Sequence, residues 1–215
     1  MGRSETRPVA GRTYPVWLRR GLLVVALAAA VASYEPLNTD TGRTHFLQSP
    51  LDAALPIVPV LAFPYVAFLP LGTLLFVTLA MQSWPRFRTL AVAFICFGVV
   101  ADLCFIAFPT AVVRPVLAGD DLASSLVRLV YAHDRPFNDL PSTHVGGTVM
   151  FALACVRWRP RSLVVVAPLA AAIIASTVLI RQHSLLGAGA GLALGLACYA
   201  LAVRLAPEEA VHASS

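Results

Sequence analysis

"HDRPFNDLPSTHVGGTVMFALACVRWRPR", residues 133–161, contains the organisation of the whole chain in one stretch. A polar, turn-rich run with two His, two Asp and an Arg leads through Pro141-Ser142 into the apolar stretch 142–156, which ends at Arg157, Trp158, Arg159 and Arg161. Such a segment reads as a helix entering lipid at one surface and leaving it at an Arg- and Trp-marked other surface.

Composition extends that reading outward. Hydrophobic residues make up 58% of the 215 residues and charged residues only 13%. Crossing a bilayer needs ~20 apolar residues at ~1.5 Å rise each. Apolar spans fall near 18–34, 55–81, 89–109, 142–156, 163–181 and 184–203, so the expected fold is all-α, a polytopic six-transmembrane-helix bundle. The second span carries Pro59, Pro64 and Pro70 and is expected to kink. The fourth is short because its first turn begins inside the polar run. The expected organisation is a cytoplasmic segment over 1–16, the six-helix membrane domain over 17–205 and a cytoplasmic tail over 206–215.

All sixteen basic residues are Arg. Arg3, Arg7, Arg12, Arg19, Arg20, Arg86, Arg88, Arg157, Arg159, Arg161 and Arg204 share one side if six spans alternate, which the positive-inside rule makes the cytoplasm. Both termini are then cytoplasmic, and the plasma membrane is the expected location. The net charge of +5 belongs to topology and anionic lipid, which argues against nucleic-acid binding. The Arg-rich start, short apolar core and "AVAS" at 30–33 also fit a cleaved secretory signal; the later topology is the same either way. Trp17, Trp84 and Trp158 map to the cytoplasmic edge. Cys96, Cys104, Cys155 and Cys198 lie within spans without metal-type spacing and read as apolar packing residues. His45 and His212 read as solvated surface residues.

On the outer side the charges run against the topology rule. Arg114, Arg128, Arg135 and Arg181 gather there with His133, His144 and His183. Ionisable groups at a membrane edge are costly and suggest function. The alternative is that these Arg contact lipid phosphates or pair with Asp120, Asp121, Asp134 and Asp139. Ser142 is placed to cap the following helix, so the amides of Thr143 and His144 lie where a helix binds phosphate. Two imidazoles flanking an anion allow one to attack phosphorus and the other to protonate the leaving oxygen.

Three stretches carry a resemblance. "RPFNDLPSTHV" (135–145), "STVLIRQHSLLGAGAG" (176–191) and, upstream, "FPTAVVRPVLAGDDL" (108–122) occur in the order and spacing of the type 2 phosphatidic acid phosphatase superfamily. They are most similar to its inositol phosphorylceramide synthase-like (inositolphosphotransferase) branch, and the resemblance spans residues 95–195. It implies His183 as the nucleophile forming a phosphohistidine and His144 as general acid. It implies phosphate contacts from Ser142, Thr143 and the amides after them, and from Arg135, Arg128, Arg181 and Arg114. No metal or cofactor is implied; the implied partner is a lipid phosphate or phospholipid within the bilayer, and the oligomeric state is open.

The sequence departs from that family at one point. The Asp expected four residues after the nucleophilic His is Gly187, and losing such an orienting group costs ~10⁴ in rate in a comparable triad. Asp139 in the motif loop and Asp102 in the third span are the possible substitutes, Asp102 having a structural carboxylate as its plainer reading. Gly187, Gly191 and Gly195 also form a small-residue stripe that suits close helix packing. The expected function is a metal-independent lipid-phosphate phosphatase or phosphotransferase acting at the extracytoplasmic face. The alternative is an impaired relative that binds lipid phosphate. The groove for the lipid tail is expected to be lined by Leu, Val and Ala, which leaves the substrate open.

Overall fold

The computed structural model describes residues 15–207; Arg3, Arg7, Arg12 and His212 lie outside the described residues. Nine helices follow one another there: α1 (Val16–Ala32), α2 (Tyr34–Leu37), α3 (Pro50–Ala54), α4 (Ala62–Gln82), α5 (Trp84–Ala107), α6 (Leu122–His133), α7 (Thr143–Trp158), α8 (Leu163–Leu179) and α9 (Leu185–Leu205). Two-residue strands β1 (His45–Phe46) and β2 (Thr110–Ala111) pair in parallel. The long helices match the apolar spans, but five of them, not six, have the length and composition to cross a membrane. α7 has 16 residues, ~24 Å at ~1.5 Å per residue, and falls short of a full crossing by itself.

α7 nevertheless sits at the centre. Val145 to Met150 and Ala154 are buried, and it packs on α5, α8 and α9. The periphery is apolar and exposed, with Leu22, Val25, Leu69, Leu74, Val164 and Val165 facing outward, as a multi-pass membrane protein requires. α1 has no buried residue and lies against α5. Pro64 falls in the first turn of α4, where its missing N–H costs nothing, and Pro70 lies within the helix. At the end bearing Trp17, Trp84 and Trp158, Arg20 stacks over Trp84 at 4.8 Å and Arg86 over Trp158 at 5.7 Å. The four cysteines are free thiols inside helices.

At the opposite end the loops are stitched together. β1 pairs with β2, Ala111 bridges to Phe137, Val112 N–H donates to the Pro136 carbonyl at 3.0 Å, and Leu140 N–H donates to Thr110 Oγ1 at 2.9 Å. The stretch 108–115 therefore holds the motif loop in place. Asp134 anchors the loop's other end, accepting from Tyr34 Oη at 3.1 Å, Asn38 Nδ2 at 2.8 Å and Tyr65 Oη at 2.9 Å. Exposed His45 stacks on Phe108.

The glycine stripe explains how α9 approaches this loop. A Cβ at Gly187 would run into the backbone carbonyl and carboxylate of Asp139, one at Gly191 into the Ser142 carbonyl, and one at Gly195 would lie 2.8 Å from the Gly146 carbonyl. Three turns of α9 thus press directly on the backbone of 139–146, an approach that any side chain would block.

Candidate functional site

Two tight turns build the site, the motif loop before α7 and the 180–184 turn between α8 and α9. Asn138 and Arg181 adopt left-handed φ of 58° and 56°, reversing the chain within a residue or two. Ser142 caps α7, its Oγ accepting from Val145 N–H at 3.3 Å, and Ser184 caps α9 by accepting from Gly187 N–H at 3.0 Å. The turns interlock: Ser142 N–H donates to the Gly187 carbonyl, Ser184 N–H to Asp139 Oδ1 at 2.8 Å, and Ser184 Oγ to Asp139 Oδ2 at 2.6 Å.

His183 sits inside this lock, 3% exposed. Its Nδ1 lies 3.0 Å from the Asp139 carbonyl oxygen and 3.5 Å from Asp139 Oδ1. A carbonyl can only accept, so this hydrogen bond places a proton on Nδ1 and leaves Nε2 as the other ring nitrogen. Nε2 has no hydrogen-bond partner among the described residues. Asp139 is wholly buried, and its carboxylate occupies the space into which a side chain at 187 would project. Gly187 marks where α9 makes room for Asp139.

His144 lies in the first turn of α7, stacked on Tyr65 at 4.1 Å between ring centres and tilted against Phe68 at 4.6 Å. Its Nδ1 is buried without a protein partner. Thr143 and His144 open onto a cavity of about 270 Å³, whose wall also carries Tyr34, Phe68, Phe97, Phe105 and Asp102. Aromatic side chains share this wall with Ala30, Val31, Leu69 and Ala101.

The arginines divide sharply. Arg181 is turned away from the histidines and donates to the carbonyls of Asp52, Ala53 at 3.3 Å and Leu55 at 2.7 Å, closing the C-terminal end of α3. Its expected place on the phosphate is therefore corrected. Arg128 is exposed and committed to the Leu117 and Gly119 carbonyls and Ser125 Oγ, holding the loop before α6, and is likewise not brought to the histidines. Arg114 reaches the Asp134 carbonyl at 2.6 Å, the Arg135 carbonyl at 3.0 Å and Gln182 Oε1, with its guanidinium 4.7 Å above the Tyr131 ring. Arg135 is exposed, and its side chain makes no hydrogen bond or ion pair among the described residues. The outer carboxylates do not pair with these arginines: Asp121 caps α6 through Ser124, Asp134 takes Tyr and Asn donors, and Asp139 takes Ser184.

Some residues matter that motif reading passed over. Gln182 is 3% exposed, and its Nε2 has no acceptor; the adjoining Arg114 Nε is also buried without one. Two linked N–H donors without acceptors beside His183 suit an anion's oxygens. Asp52 accepts Leu185 N–H at 2.7 Å, so α3 receives Arg181 and holds the start of α9 in return. Burial raises the Asp52 pKa, but bonds from the Ser49 hydroxyl and the amides of Leu185 and Ser49 outweigh it and lower the value. Adjacency to "RQH" pointed to Gln182; nothing local marked Asp52. No group of three or more metal-ligating side chains occurs among the described residues.

Two outcomes follow from these contacts. Arg181→Ala is expected to destabilise the fold by ~2–3 kcal/mol, because the carbonyls lose a charged donor, and to lower the thermal midpoint in detergent. An unchanged midpoint together with a raised KM would place Arg181 on the substrate instead. Gly187→Asp is expected to destabilise the protein by ~1–3 kcal/mol or more through overpacking and to lose function, because the added Cβ meets backbone that cannot swing aside. A more active Gly187→Asp would show that α9 has room to spare.

Compared with known proteins, the sequence matches no family model, no curated protein and no solved structure.

Proposed function

We propose that the chain is a metal-independent lipid-phosphate phosphatase or phosphotransferase of the type 2 phosphatidic acid phosphatase kind, working at the outer face of the plasma membrane. In this reading α7 is the sixth crossing helix, entered from the outer surface, and both termini are cytoplasmic. The observation that carries it is the contact of His183 with Asp139: the carbonyl can only accept from Nδ1–H, so the neutral ring offers Nε2 as the nucleophile, with a carboxylate oxygen 3.5 Å from Nδ1. The motif resemblance and the acceptor-less donors of Arg114 and Gln182 support it further.

The chemistry then runs in two steps. His183 Nε2 donates its lone pair to phosphorus, the P–O ester bond breaks, and the leaving alkoxide takes a proton from His144. The phosphate's own negative charge favours that protonated imidazole. Water or an acceptor alcohol next attacks the P–N bond, giving its proton back to His144, and His183 leaves as the neutral ring. The amides after Ser142, with Arg114, Gln182 and exposed Arg135, hold the phosphate oxygens.

The test uses protein purified in detergent with EDTA present throughout. Phosphate release or transfer to an added alcohol is measured for phosphatidic acid, lysophosphatidic acid and a polyprenyl phosphate, together with an acid-labile, alkali-stable phosphate label on the protein. Turnover accompanied by label on His183 is the expected result; no release, no transfer and no label with any of the three would overturn the reading.

A further inference from the structure

We infer that Asp102 is a specificity residue for the lipid: its carboxylate accepts a hydrogen bond from a second hydroxyl or an ammonium group beside the ester oxygen. The substrate class this selects is a lipid phosphate built on a diol or amino-alcohol backbone, as opposed to one with a bare hydrocarbon chain. The inference deepens the proposed function and relies on His144 serving the leaving or accepting oxygen.

Asp102 lies in α5, five residues before its end at Ala107, about 7.5 Å down the helix at ~1.5 Å per residue. It is only partly buried and lines the same cavity as Thr143 and His144. The structural role expected for it needs a partner, and no hydrogen bond or ion pair to Asp102 is present among the described residues. The other buried or half-buried carboxylates at this end differ: Asp52, Asp134 and Asp139 each accept at least two bonds from protein donors. A carboxylate at membrane depth without a partner is costly and is explained when a ligand supplies the donor. The rest of the wall strengthens the case. Tyr34 Oη is spent on Asp134, and the remaining surface near Asp102 is Phe97, Ala101 and Phe105, so Asp102 is the one acceptor of charge facing an aromatic chamber. His144, whose buried Nδ1 is also without a partner among the described residues, is another lining residue of the same cavity. A chain in that chamber would bring its polar end to both groups, with an ester oxygen at the imidazole and a neighbouring donor at the carboxylate.

The test needs no phosphate chemistry. Wild type, Asp102→Asn and Asp102→Glu are purified in detergent, and ligand affinity is read from the shift in thermal midpoint with 1,2-hexadecanediol, 2-amino-1-hexadecanol and 1-hexadecanol, the last having no second donor. Wild type is expected to bind the diol or the amino alcohol at least about tenfold more tightly than 1-hexadecanol, the worth of one hydrogen bond to a charged group. Asp102→Asn is expected to lose that preference to within about twofold, while Asp102→Glu retains it. The two donor-bearing probes separate hydroxyl from ammonium recognition. Asp102 has no protein partner to orphan, so the isosteric Asn keeps the fold, checked by its helical signal and ligand-free midpoint. No preference in wild type, or a preference that survives in Asp102→Asn, would overturn the inference. A preference that behaves as stated in a protein that turns over no lipid phosphate would sink the proposed reaction and leave Asp102 standing.

Discussion

Turnover of a lipid phosphate by His183→Ala is expected to fall to background, a loss of about 10⁵- to 10⁶-fold, the scale seen when a covalent nucleophile is removed. The geometry allows no stand-in. His183 Nε2 is the lone pair freed by the Asp139 carbonyl, whereas His144 is wedged between Tyr65 and Phe68 and has no protein group to fix its tautomer. The two histidines are also separable by leaving group. His144→Ala is expected to lose about 10²- to 10⁴-fold on an alkyl phosphate but recover most of that on an aryl phosphate, whose leaving oxygen needs no proton. His183→Ala recovers on neither. Equal losses on both esters for His144→Ala, or appreciable turnover by His183→Ala, would reverse the assignment of roles.

Asp139→Asn is expected to lower turnover by about 10²- to 10³-fold, less than the ~10⁴ of a triad whose orienting carboxylate is neutralised. The difference lies in how the work is divided. In such a triad the carboxylate both fixes the tautomer and stabilises the cation, whereas here the backbone carbonyl of Asp139 fixes the tautomer and survives the substitution. What is lost is the charge 3.5 Å from Nδ1, whose full Coulomb worth of ~4.7 kcal/mol at an effective dielectric near 20, about 3 × 10³ in rate, is the upper limit of the loss. The loss belongs in kcat, since the imidazolium character appears only once phosphorus is attacked. A change confined to KM would make Asp139 a purely structural partner of Ser184.

Hydropathy made the long helices legible because lipid imposes length and apolarity on each one independently of its neighbours. α7 was legible as a short span for the same reason, since its polar first turn at Ser142 to His144 is visible locally. The pairings that assemble the site were not: Asp139 meets Ser184 and His183 across 45 and 44 residues, and only the approach of α9 decides that Asp139 fills the place vacant at 187. The arginines show the limit most clearly. Spacing puts Arg128 and Arg181 in motif positions, yet both guanidiniums are consumed by carbonyls of loops whose course no local signal reveals. The two-residue strands that fasten the motif loop to 110–111 are equally too short to carry a pattern.

The glycine stripe of α9 also sets a timetable. Asp139 and His183 belong to different membrane entries, and what brings them together is the docking of Gly187, Gly191 and Gly195 onto 139–146. During synthesis the motif loop and α7 therefore emerge before the partners of Asp139, and the Asp139–His183–Ser184 contacts form only once α9 is seated. On the proposed reading, a half-inserted chain would lack the assembled site and would turn over no lipid phosphate.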